Sequence, residues 1–258
     1  MVALLSGLST NSPQAPPPPV RATTEYRLEP LPKDVRELEQ RFTTAQIDLL
    51  EKLNRRDREH LPRIDPPVPG LVVPISWPED ELVVSPMPSE YVWARAVPKL
   101  ILVHQPLQVF GAYEFGRLVR WGPVSTGRKE TPTPIGIFNL TWKARQRRST
   151  DNEQWLLRWY FNFVNARGVS FHQFDLPGYP ASHACVRLLE RDAEWLYSWG
   201  EQWKLDADRR AVAVPGSLVV IASRPTPAAP WTSLDVARTP IELPPVPIWL
   251  MPVLATGG

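Results

Sequence analysis

The sequence predicts a mainly β fold with a small, mostly helical N-terminal region, and three observations carry that reading. From Lys99 onward, short apolar runs recur between Pro, Gly or polar clusters: "KLILV", "LQVFGAYE", "RLVRW", "IGIFNLTW", "WLLRWYFNFV" and "GSLVVIAS". Before them, residues 33 to 61 place Val35, Leu38 and Phe42, then Ile47, Leu50 and Leu53, near a 3.6-residue period. After them, residues 190 to 203 repeat that period, with Trp195, Leu196, Trp199 and Trp203 on one stripe and Gly200 within it.

In chain order, residues 1–20 combine a short apolar run and small residues, without a preceding Lys or Arg, with the proline-rich "SPQAPPPP". They read as a truncated signal followed by an extended linker, so export is the expectation. Residues 21–96 form an accessory region: Pro62 ends the helical period, and "IDPPVPGLVVPISWP" frames one short apolar strand. Residues 97–222 make the main domain, in which Phe115-Gly116 turns a hairpin within an antiparallel meander and "RGVSFH" delivers His172 at a strand end. Residues 223–258 are a proline-rich tail.

The composition narrows the function classes. A formal charge of +2 with dispersed basic residues speaks against nucleic acid as partner. No run reaches the roughly 18 apolar residues of a membrane span. A lone cysteine, Cys185, excludes an intramolecular disulfide and any zinc site built on two or more thiolates, and it leaves a redox switch without a resolving thiol. The 31 prolines and 11 tryptophans point instead to ordered loops and aromatic surfaces.

That cysteine sits in "ASHACVRLLERDAEWLYSW". In an extended segment side chains two apart share a face, so His183, Cys185 and Arg187 are expected to face one pocket. A neighbouring imidazolium or guanidinium favours the thiolate, the nucleophilic form. The segment "STGRKETPTPIGIF" brings Ser125, Thr126 and Thr133 near a strand end, a placement that turn chemistry also explains. The basic run "KARQRRSTDNEQ", 143 to 154, reads as a solvated loop, with a lid over a polyanionic substrate as the sharper alternative. His60 and His104 read as structural or surface residues.

Three motifs in order, "VSTGRKETPTPIGIF", "SFHQ" and "GYPASHACVRL", resemble the catalytic domain of the YkuD family of bacterial L,D-transpeptidases over roughly residues 97 to 222. The last motif is similar to the family signature of Ser or Thr, His, Gly, Cys, a variable residue and Arg. The resemblance implies a β-sandwich of mixed sheets with a short helix after the catalytic loop. It implies Cys185 as nucleophile, His172 as proton acceptor and donor, and His183 as a residue shaping the site, with His183 the reserve base. It also implies the backbone N–H groups of Ala184 and Cys185 as oxyanion donors, and Arg187 as orienting the loop or substrate. Ala184 departs from the signature glycine; a left-handed backbone there would cost alanine about 1 kcal/mol. The implied reaction is acyl transfer on peptidoglycan stem peptides in the cell envelope, by a monomer without metal or cofactor, forming 3-3 cross-links or attaching another amine acceptor such as an envelope protein. An L,D-carboxypeptidase and a non-catalytic peptidoglycan-binding protein are the alternatives. The segment from "LNRRDREHL" to "LVVP" resembles wall-binding modules.

Overall fold

The apolar runs after Lys99 pair into one mixed nine-stranded sheet, because each supplies a face of β-branched and aromatic side chains that must be covered. The computed structural model describes residues 24–63, 68–150, 152–223 and 241. The signal and linker expected at 1–20, and the tail expected at 223–258 apart from Ser223 and Ile241, lie outside the described residues.

The elements run β1 (Tyr26–Glu29), α1 (Val35–Arg41), α2 (Thr44–Asn54), β2 (Leu71–Pro74), β3 (Lys99–His104), β4 (Val109–Glu114), β5 (Arg117–Ser125) and β6 (Gly136–Asn139). They continue with β7 (Lys143–Arg148), β8 (Leu156–Val164), β9 (Val169–Gln173), β10 (Val186–Leu188), α3 (Glu190–Trp199), β11 (Lys204–Leu205), β12 (Val212–Val214) and β13 (Leu218–Ala222). The large sheet has the order β6-β13-β3-β4-β5-β10-β9-β8-β7. The expected meander holds over β3, β4 and β5, where Phe115 and Gly116 both take positive φ in the hairpin turn. The sheet as a whole is mixed, since β13 runs parallel to β3 and β10 parallel to β9.

The sheet curls so that its two halves face each other. Ile101, Phe110 and Val219 from one half pack with Phe161, Phe171 and Val186 from the other, and Leu196 of α3 closes the same cluster. Rings of Phe138 and Phe163, near the two ends of the sheet, lie 5.6 Å apart. Three-residue β10 is the seam, antiparallel to β5 on one side and parallel to β9 on the other.

Two expectations need correction. The run at 143 to 154 is not a loop throughout: Lys143–Arg148 form β7, which pairs with β8. Its cations lie on aromatic rings, Arg145 over Trp159 and Arg147 over Trp142 and Tyr160, so a strand whose one apolar residue is Ala144 is still anchored. The helix expected over 190 to 203 stops at Trp199. A Cβ on Gly200 would approach Leu140 within 2.7 Å and Phe161 within 2.9 Å, and the chain turns away there to reach Trp203.

The accessory residues pack on the outer face of the sheet. Tyr26, Leu49, Leu53 and Val72 share one apolar cluster with Leu100, Val109, Tyr113 and Trp121 of the sheet. At 33 to 61 the helical period divides at Thr43, whose side chain and that of Gln46 cap α2 reciprocally. From α2, the buried ammonium of Lys52 donates to the Trp121 carbonyl at 3.0 Å and pairs with Glu81. Among the described residues no helix is long and apolar enough to cross a membrane, and no cluster of His, Cys, Asp and Glu is placed to hold a metal ion.

Candidate active site

Parallel pairing of β9 with β10 sets Phe171 beside Val186 and His172 beside Arg187. Alternation then puts Ser170 and His172 on one face of β9, with His172 level with Arg187 of β10. The Cys185 Sγ lies 3.5 Å from the Ser170 Oγ and 3.9 Å from the Gly168 carbonyl oxygen. Sequence reading missed Ser170, although its two-residue spacing from His172 in "SFH" was the available signal.

His172 is buried, and its Nδ1–H donates to the Gln173 carbonyl at 3.0 Å. A carbonyl can only accept, so this bond fixes the tautomer and leaves Nε2 with its lone pair. Burial lowers the imidazole pKa to about 4, the Gln173 carbonyl opposing and the Arg187 charge assisting. The ring is therefore neutral near pH 7, suited to taking a proton rather than to a standing imidazolium.

Cys185, His172, His183 and Arg187 line one small pocket of about 30 Å³, walled by Trp155 and Phe174. That volume holds about one water. The Trp155 ring meets His183 edge-on at 5.2 Å and Phe174 at 5.9 Å. Arg187 lies over Phe174 at 4.6 Å and donates to the Asp175 carbonyl at 3.3 Å. Burial lowers the Arg187 pKa, against the attraction of Asp175 and Cys185. Cys185 also borders a larger cleft of about 310 Å³ that takes in His183, Arg147, Arg148, Arg167 and Glu130.

His183, Cys185 and Arg187 reach one pocket, but not by strand alternation, because β10 begins only at Val186. Residues 182–185 form a bend in which Ala184 has φ 84°. A left-handed alanine costs roughly 1–2 kcal/mol, which the surroundings must offset. Thr133 Oγ1 donates to the Ala184 carbonyl at 2.8 Å and accepts from the Gly127 N–H at 2.8 Å. Ser182 Oγ donates to the Cys185 carbonyl, and the Ser182 N–H donates to the Thr126 carbonyl at 3.0 Å. Ser125 Oγ donates to the Tyr179 carbonyl at 2.7 Å and accepts from the Ala181 N–H at 3.1 Å. Ser125, Thr126 and Thr133 thus brace the cysteine loop.

Residues 98–221 match the YkuD family, the L,D-transpeptidase catalytic domain. This segment is a YkuD-family domain. Solved L,D-transpeptidases are similar to the chain at low identity. One from Stackebrandtia nassauensis is 22% identical, with 50% of this chain and 57% of that one covered and a TM-score of 0.41. One from Mycobacterium smegmatis is 17% identical, with 49% and 59% covered and a TM-score of 0.39. The chain therefore spans less than two thirds of the length of these relatives. No curated protein matches it. Within the YkuD-family domain the fold gathers His172, His183, Ala184, Cys185 and Arg187 around one thiol. His60 and His104 lie elsewhere: His60 faces Asp57 at 2.7 Å, and His104 Nδ1 accepts from the Leu107 N–H at 3.3 Å.

Proposed function

We propose that the protein is a peptidoglycan L,D-transpeptidase that works through a cysteine acyl-enzyme, with residues 97–222 as the catalytic domain. The observation that carries this reading is the gathering of Cys185, His172 and Arg187 around one pocket, with Ser170 Oγ 3.5 Å from the thiol, within a YkuD-family domain. The family acts on peptidoglycan in the cell envelope, and envelope localisation and stem peptides as substrate follow from that membership. The arginine-rimmed cleft beside Cys185 supports a carboxylate-bearing donor peptide.

In the proposed first step the Cys185 Sγ attacks the carbonyl of the third residue of a stem tetrapeptide while its proton moves to Nε2 of His172. The N–H groups of Ala184 and Cys185 stabilise the oxyanion. The C–N bond then breaks, and the leaving D-alanine amine takes the proton from His172. In the second step an amine of another stem attacks the thioester, gives its proton to His172, and releases the thiol as a 3-3 cross-link forms. Arg187 holds the loop through Asp175 and Phe174, and His183 shapes the pocket against Trp155.

Incubation with tetrapeptide stems, followed by mass spectrometry of protein and products, tests the assignment. Wild type is expected to carry a thioester on Cys185 and to release D-alanine, and Cys185→Ala is expected to do neither. Hydrolysed tripeptide without dimer would make the enzyme an L,D-carboxypeptidase. Binding of stems without D-alanine release would make it a non-catalytic binder.

A further inference from the structure

His172 and Cys185, which line one pocket, stand at the two ends of one connection, residues 174–184, so the path of that connection sets how thiol and imidazole lie relative to each other. The sheet holds one side of it through Ser125, bonded to Tyr179 and Ala181. The other side is held from outside the YkuD-family segment, by the turn that follows α2. There the Asp57 N–H donates to the Leu176 carbonyl at 3.1 Å, and the Asp57 carboxylate accepts from the Leu176 N–H at 2.6 Å. Its second oxygen accepts from the His60 N–H at 3.0 Å, which fixes the carboxylate in place. Next to this bond, Arg56 bridges to Pro177, and Gly178 at φ 94° lies so near Arg56 that a Cβ would meet its Nε at 2.8 Å. Leu176 and Arg56 are both buried. The carboxylate of Asp57 is thus a built acceptor for an otherwise unpaired backbone N–H, 119 residues away in sequence.

We propose that Asp57 is a positioning residue for the His172–Cys185 pair, and that the accessory region serves the reaction by clamping the connection between them. The proposal rests on the reading of that pair as the reacting groups. Asp57 acts through Leu176 and the loop, and touches no reacting atom. A displacement of about 1 Å in such a pair costs on the order of a hundredfold in rate, whereas Arg147, Arg148 and Arg167 of the cleft beside Cys185 lie outside the clamped connection.

The test compares full-length wild type, Asp57→Ala and Asp57→Asn, well below their melting temperatures. Two readouts are used: kcat and KM with tetrapeptide stems, and the second-order rate of Cys185 alkylation by iodoacetamide at pH 7. Asp57→Ala is expected to lower kcat about ten- to a hundredfold, to leave KM within about threefold, and to slow alkylation. Asp57→Asn, which keeps an oxygen for the Leu176 N–H, is expected to restore most of both rates. An unchanged kcat with unchanged or faster alkylation in Asp57→Ala overturns the proposal, as does a loss confined to KM. Should Asp57→Ala not fold, Asp57→Glu keeps the charge but shifts the oxygens by one methylene. A lowered kcat then supports the clamp and a wild-type kcat overturns it. Alkylation needs no stem peptide. A wild type inert toward stems, yet with an Asp57-dependent thiol rate, would sink the transpeptidase reading and leave the clamp standing.

Discussion

Thr133 Oγ1 lies 2.8 Å from the Ala184 carbonyl oxygen, and the same hydroxyl accepts the Gly127 N–H. One buried side chain thereby ties the "TPTP" turn to the left-handed peptide before Cys185. Thr133→Val keeps the shape and leaves two buried backbone groups unpaired, each costing about 1–3 kcal/mol. Denaturant unfolding is expected to show a loss of at least ~2 kcal/mol, with turnover falling further than stability alone explains. Thr133→Ser should retain both properties, and a Val variant with wild-type turnover would mean the hydroxyl does not position the loop.

The pKa of His172, lowered by burial from the ordinary 6.5 to about 4, sets a pH dependence. The unfolded chain takes up the proton first as pH falls, so this group's contribution is complete above pH 6.5 and declines down to about pH 4. The shift corresponds to roughly 3 kcal/mol. Melting temperatures measured between pH 7 and pH 4 should fall, and the fall should be smaller in His172→Gln. Burial lowers His104 in the same way, so His104→Gln is the parallel measurement. The acid limb of kcat/KM should lie near pH 4; a limb at 6.5 would contradict a neutral, buried base.

Ala184→Gly relieves the left-handed strain but adds freedom to the unfolded chain, terms of about 1–2 and 0.4–1 kcal/mol of opposite sign. Because Thr133 and Ser182 hold the peptide on both sides, thioester formation should change by less than about tenfold, or roughly 1.4 kcal/mol in the barrier. Stopped-flow acylation by stem peptides measures this. A much larger acceleration would show that alanine displaces the oxyanion donors.

Arg147, held on the rings of Trp142 and Tyr160, borders the cleft beside Cys185. Arg147→Gln should raise KM for stems bearing a free carboxylate several-fold at low salt, with kcat nearly unchanged, and the difference should shrink in ~1 M salt. An effect on kcat alone would remove Arg147 from substrate binding.

Strands with an apolar face were legible because alternation and turn residues mark them; β7 was not, since "KARQRR" takes its anchorage from aromatic rings on other elements. The division of the first helical stretch was available in Thr43 and Gln46, a capping pair hidden by the apolar period that continues across it. At the site, the residues expected around Cys185 do converge, but through a bend at Ala184 that alternation does not describe. Ser125, Thr126 and Thr133 carried an ambiguous signal, because the residues that build turns also brace loops. The Asp57–Leu176 contact left no local trace, as only the folded sheet brings α2 to that loop.

The seam at β10 has a consequence for biogenesis. The thiol precedes a three-residue strand whose neighbours, β5 and β9, belong to opposite halves of the sheet. Pairing with β9 closes only the short connection at 174–184, whereas pairing with β5, Arg187 to Ser125, closes a much longer loop and waits for the other half of the sheet. Until the halves join, the bend at Ala184 lacks its bonds to Thr126 and Thr133, and the loop before it lacks its bonds to Ser125. The bend that carries the thiol is therefore braced only once both halves of the sheet are in place.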